Sequence, residues 1–144
     1  MTEILLQLVL AFTCSIGFGM VFGIAPKHLP VAGLAGFVVK IVVLITMHFT
    51  SQRFLYSLAG AIMAALFAEI VGRIFDTAHS KYLYPALVPL IPGDVLYKLL
   101  LESLRLHGAN AGANGLELCA GLFGIAIGCM IVPTLIHTKK LIIG

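Results

Sequence analysis

Residues 29–49 read LPVAGLAGFVVKIVVLITMHF, twenty-one positions of which one, Lys40, is charged. A helix needs about 20 predominantly apolar residues to cross the roughly 30 Å hydrocarbon core of a bilayer, so this stretch reads as a membrane span with a single charge near its middle. The rest of the chain has the same character. Of its 144 residues 60% are hydrophobic and 10% are charged, whereas a soluble domain carries about 25% charged residues. The mean hydropathy is +1.10. This length admits at most about six spans with short loops and leaves no room for a separate soluble catalytic domain.

Upstream, residues 4–25 are uncharged and long enough to span. A cleaved signal peptide begins with basic residues and ends a short apolar stretch at small ones; Met1-Thr2-Glu3 carries an acid and no base, so this segment is expected to be retained. Downstream, Ser51, Gln52 and Arg53 form a polar turn, 54–75 a third span, and Asp76 to Lys81 a surface loop. Residues 82–104 are a fourth apolar stretch broken by Pro85, Pro89 and Pro92-Gly93. A glycine- and asparagine-rich loop over 107–115 precedes a fifth span at 116–137 and the basic residues His137, Lys139 and Lys140. The expected fold is all-α: a polytopic bundle of about five transmembrane helices, with spans at about 4–25, 29–49, 54–75, 82–104 and 116–137, in a single transmembrane domain over 1–144. A four-span arrangement with one re-entrant stretch is the alternative. With five spans, Lys27, Arg73, Lys81, Lys139 and Lys140 flank one side and Arg53, Lys98 and Arg105 the other, which favours a cytoplasmic carboxyl terminus.

Lipid tails are as apolar as leucine, so membrane helices associate by close packing at small residues. Gly19 and Gly23 form one GxxxG pair, Gly60, Ala64, Ala68 and Gly72 a ladder, and Ala120, Gly124 and Gly128 another. These positions are expected at tight helix contacts within the chain, with a partner, or between copies in an oligomer.

Several functions lack a footprint. The nine Lys and Arg are scattered, so nucleic acid has no basic patch to meet. Cys14, Cys119 and Cys129 lie in apolar runs without metal-ligand spacing, and His28, His48, His79, His107 and His137 contain no HxxxH pair. Neither a GxSxG elbow nor a phosphate-cradling glycine loop is present. The expectation is no enzyme, no catalytic residue, no metal and no cofactor.

The residues suited to chemistry are those a membrane tolerates poorly. Proline removes the hydrogen bond to the carbonyl four residues earlier, so Pro85, Pro89 and Pro92 free the carbonyls of Lys81, Pro85 and Val88. Broken helices of this kind line polar paths in secondary transporters, and Gly93 favours a true break. Lys40 requires an anion or a water-filled cavity, because a charge at the bilayer centre costs at least roughly 2.5–3.5 kcal/mol on insertion scales. Counted at about 1.5 Å per residue, Lys40 lies about 17 Å and Asp94 about 18 Å from the same face, whereas Glu69 is only about 9 Å deep. Asp94 is therefore the better-matched partner. Glu69 has Arg73 as its i+4 neighbour; Glu69 and Asp94 are also candidate proton carriers, and Tyr97 is placed to offer a hydroxyl to a polar ligand.

The segment Pro85-Ala-Leu-Val-Pro-Leu-Ile-Pro-Gly-Asp-Val-Leu-Tyr97 resembles the small subunit of the threonine/serine exporter family, whose pattern is an apolar strip ending in Pro-Gly with a tyrosine shortly after. Gly17-Phe-Gly-Met-Val-Phe22, Ala32-Gly-Leu-Ala-Gly36 and Leu66-Phe-Ala-Glu-Ile-Val-Gly-Arg73 continue the similarity in family order, over roughly residues 10–100. The resemblance implies a bacterial inner-membrane exporter of small polar metabolites, with threonine and serine in some members and a dicarboxylate, succinate, in others. It also implies a larger partner subunit, since this chain corresponds to the shorter half of a two-part exporter. Asp94 stands where the family pattern has a small or apolar residue, and Lys40 belongs to no family motif. The expected substrate or ion path comprises Lys40, Glu69, Pro89, Pro92, Gly93, Asp94 and Tyr97. A membrane scaffold that stabilises a partner without transporting is the alternative function.

Overall fold

The computed structural model describes residues 2–91, 93–104 and 111–143. Six α-helices follow one another: α1 Thr2–Val21, α2 Leu29–Phe49, α3 Arg53–Ile74, α4 Ser80–Leu87, α5 Gly93–Leu104 and α6 Ala111–Ile143. Single 3-10 turns at Pro26–His28 and Val88–Leu90 precede α2 and follow α4. Four helical segments, in α1, Pro26–Phe49, α3 and α6, are long and apolar enough to cross a membrane, and no strand occurs among the described residues.

The distribution of side chains is that of a protein dissolved in lipid. The core consists of small residues: Ala35, Val39 and Val43 of α2 meet Ala61 and Ala64 of α3 together with Ala86 and Leu90. The outer surface carries Leu6, Val9, Met20, Ile45, Ile70, Phe123 and Met130. Large apolar groups lose nothing by facing acyl chains, and small ones let backbones approach.

Glycines set the approach. A methyl placed on Gly124 would lie 2.6 Å from the Phe54 carbonyl oxygen, and one on Gly128 would lie 2.6 Å from Ala61 Cβ. With Gly121 against Arg53, these pairings advance together along both helices, so α3 and α6 run parallel. On the other flank Gly36 faces Ala11 and Ser15, while Gly19 faces Leu29 and Ala32; α1 and α2 are thus antiparallel. Gly60 packs against Val43 and Leu90, and Gly72 against Thr77 and His79. Ala64 and Ala68 between them are fully buried. Gly60, Ala64, Ala68 and Gly72 of α3 and Gly124 and Gly128 of α6 are therefore occupied within the chain.

Gly23 has a different task from the packing role its GxxxG spacing suggests. It is exposed, has φ +71° and has no neighbour where a side chain would project. The Ile24 N–H bonds Gly19 O at 3.0 Å and the Gly23 N–H bonds Met20 O at 3.1 Å, the pair of bonds that closes a helix through a left-handed residue. Gly23 ends α1; Gly19, one turn earlier, makes the helix contact.

Two expectations about helix bounds are corrected. Pro85 sits inside α4 without interrupting it, and the break falls instead at the 3-10 turn and at Ile91, whose ψ is 120°. The stretch expected as one broken span over 82–104 is a passage from Ser80 to Asp94 followed by the remainder of α5. Residues 111–115, expected in a loop, form the first turn and more of α6, where Asn114 Nδ2 donates to Glu102 Oε2 of α5 at 2.9 Å. Pro92 and the rest of the expected loop, with Arg105 and His107, lie outside the described residues.

The passage runs antiparallel to α3. Tyr82 packs with Ala68 and Val71, Leu90 meets Gly60, and Asp94 reaches Arg53. As one regular helix the segment 80–94 would rise only about 21 Å, against about 32 Å for α3. The 3-10 turn, at about 2.0 Å per residue, and the extended backbone at Ile91 add about 3 Å, and the Arg53 side chain reaches across to Asp94 at the far end.

Candidate cleft at the helix break

Lys40 lies near the middle of α2 and is partly buried. It lines a cleft of about 240 Å³, open along one side, with Gln7, Leu10, Ala11 and Cys14 of α1 and Val88 and Pro89 of the 3-10 turn. The lone charge of the second apolar stretch and the proline break thus occupy one place. Gln7 and Cys14 join them from α1, a contribution that sequence reading missed: both residues belong to an ordinary apolar run, and only Gln7, an amide at its fourth position, offered a signal.

The break exposes fewer acceptors than proline chemistry alone implies. Pro89 frees the carbonyl of Pro85, and that oxygen accepts a hydrogen bond from Ser15 Oγ at 2.9 Å. Ser15 is fully buried, pressed against Gly36, where a side chain would overlap its hydroxyl. Pro92 frees the Val88 carbonyl, which accepts from the Ile91 N–H at 3.3 Å. Helix α1 is thereby pinned to the broken segment by a bond across 70 residues of sequence. Ser15→Ala leaves the Pro85 carbonyl without a donor, and the expected cost is about 1–2 kcal/mol. Thermal unfolding of the detergent-purified protein measures it; an unchanged transition would show that the latch contributes nothing.

Asp94 does not pair with Lys40. Its two carboxylate oxygens accept from Arg53 Nη2 at 3.1 Å and Arg53 Nη1 at 3.4 Å, while Arg53 Nε donates to Glu117 at 2.7 Å. The Arg53 guanidinium, 15% exposed, also lies 5.6 Å from the ring centre of Tyr56. One arginine thus ties the start of α3 to α5 and α6, and the fork geometry of its donors suits two carboxylates at once. The expected Lys40–Asp94 pairing is thus not a direct ion pair: Asp94 is close enough to act on Lys40 through space, but the long Arg53 side chain reaches its carboxylate and holds it.

The other expected path residues do not gather at the cleft. Glu69 accepts from Arg73 Nε and Nη2 at 3.1 and 3.0 Å, the i+4 pair on the surface of α3. Tyr97 is 66% exposed, and Gly93 has open space where a side chain would project. Pro92 lies outside the described residues. Among the described residues, Lys40 and Pro89 are the two sequence candidates that the fold brings together.

A profile of the family described as "Threonine/Serine exporter, ThrE" matches residues 7–135. No curated protein and no solved structure gives a match. That family comprises transporters rather than enzymes, and several long apolar helices make this a multi-pass membrane protein. Because the matched region runs from Gln7 in the cleft to Leu135 in α6 and takes in every helix between, the chain belongs to the threonine/serine exporter family.

Proposed function

We propose that this chain is one subunit of a secondary-active exporter of small polar metabolites, working with a larger membrane subunit in a bacterial inner membrane. Threonine and serine are the first substrates to consider, and a dicarboxylate such as succinate is the other. The observation that carries the reading is the cleft itself: a charged side chain at mid-helix beside interrupted backbone, both features that lipid penalises and a polar path requires. In this reading the passage over residues 80–94 is a fourth of five crossings, and the open side of the cleft is the wall that the larger subunit completes. Small-residue faces already filled within the chain offer less to a purely structural partner, which weighs against the scaffold alternative.

Efflux of preloaded threonine, serine and succinate is measured from cells lacking this protein and supplied with the chain alone, the larger subunit alone, or both. Restoration by the pair and by neither component alone is the expected result. No efflux of any of the three, with both chains verified in the membrane, would overturn the exporter reading.

A further inference from the structure

The cleft holds a cation that no carboxylate contacts: Asp94 acts on Lys40 only through space, its own oxygens being taken by Arg53. Among the described residues no ion pair includes Lys40. Four of the six carboxylates have partners of their own: Asp94 and Glu117 on Arg53, Glu69 on Arg73, and Glu102 on Asn114; Glu3 lies one turn before Gln7 at the start of α1, outside the cleft lining. No acidic residue lines the cleft. The backbone acceptors freed by the break are also used, Pro85 O by Ser15 and Val88 O by Ile91. What remains facing the cavity is the Lys40 ammonium, the Gln7 amide and the Cys14 thiol among the apolar groups of Leu10, Ala11, Val88 and Pro89.

We propose that Lys40, with Gln7, forms a binding site for a single carboxylate, and that the transported ligand is a small monocarboxylate bearing one further hydrogen-bonding group. This rests on the exporter reading and narrows it. An ammonium among apolar neighbours gains more from an anion than it would in water. With one cation in the lining, a second carboxylate on the ligand would be desolvated without a partner. Gln7 supplies both a carbonyl acceptor and amide donors, so an α-ammonium or hydroxyl beside the bound carboxylate meets a complementary group. The cleft volume of about 240 Å³ has room for a small metabolite. Of the three candidate substrates, serine and threonine fit this description and succinate does not.

The test is equilibrium binding of radiolabelled serine to the purified full chain, alone and in complex with the larger subunit. Serinamide, which replaces the carboxylate by a neutral amide, and succinate serve as competitors. In the wild type both should compete at least about tenfold less well than unlabelled serine. Lys40→Gln should weaken serine binding about 10- to 100-fold and abolish the distinction between serine and serinamide, while Lys40→Arg, which keeps the charge, should retain that distinction. Serine binding by Lys40→Gln equal to wild type, succinate competing as well as serine, or no serine binding by the wild-type complex would each overturn the proposal. Binding that depends on Lys40 without any efflux would instead overturn the exporter reading and leave the carboxylate site standing.

Discussion

Gly124→Val is expected to unseat α6 from α3. The first added carbon alone would stand 2.6 Å from the Phe54 carbonyl oxygen and 3.2 Å from the Leu58 amide nitrogen. Both are backbone atoms of a neighbouring helix and cannot rotate aside as the end of a flexible side chain can. Relief requires the helices to separate, which withdraws Gly121 from Arg53 and Gly128 from Ala61 as well. Overpacking a dense interface costs about 1–3 kcal/mol and occasionally more, and this position falls at the upper end. Gly17→Val in α1 is the matched control, since nothing lies within 4 Å of its added carbon and the effect should stay within about 0.5 kcal/mol. Thermal unfolding of both variants in the same detergent checks the difference. Equal transitions would show that the α3–α6 contact is not held by its glycines.

Lys40→Gln is expected to lower efflux at least about tenfold, with membrane insertion and association with the larger subunit unchanged. The ammonium enters no ion pair among the described residues, so its removal strands no internal carboxylate. The substitution also relieves the insertion cost of a charge at depth, and stability should hold or rise. A drop in transport with intact assembly separates a path-lining residue from a structural one. A scaffold subunit would keep its partner's activity in this variant, and undiminished efflux would favour that reading.

Much of the fold is legible because membrane helices announce themselves by composition. The uncharged run around Lys40 coincides with α2 at both ends, and the polar residues Ser51 and Gln52 fall between α2 and α3, with Arg53 opening α3. Less legible is everything set by the irregular segment. Its proline content shows that a helix must fail but not where; Pro85 is accommodated within α4, and the chain stretches at Ile91 instead. An estimate of depth brings Asp94 near Lys40, on which it does act through space, but does not show that the long Arg53 side chain reaches the same carboxylate and takes it. The Ser15 hydroxyl that satisfies Pro85 is invisible for a related reason. A serine in an apolar run is compatible with any helix face, and its acceptor lies 70 residues away. Gly23 illustrates the opposite hazard, a motif spacing satisfied by a residue whose role is to end the helix.

The most direct test of the account uses Cys14, a native side chain on the wall of the cleft. In a Cys119→Ser, Cys129→Ser background, the full exporter is treated with a membrane-impermeant thiol reagent while efflux of serine is followed. A lipid-facing Leu122→Cys in a background that also carries Cys14→Ser gives the unreactive reference. The account predicts that Cys14 is modified, that modification stops efflux, and that serine slows the reaction. A Cys14 that stays as inert as the Leu122→Cys reference, or one whose modification leaves efflux untouched, would contradict a water-accessible transport path at the helix break.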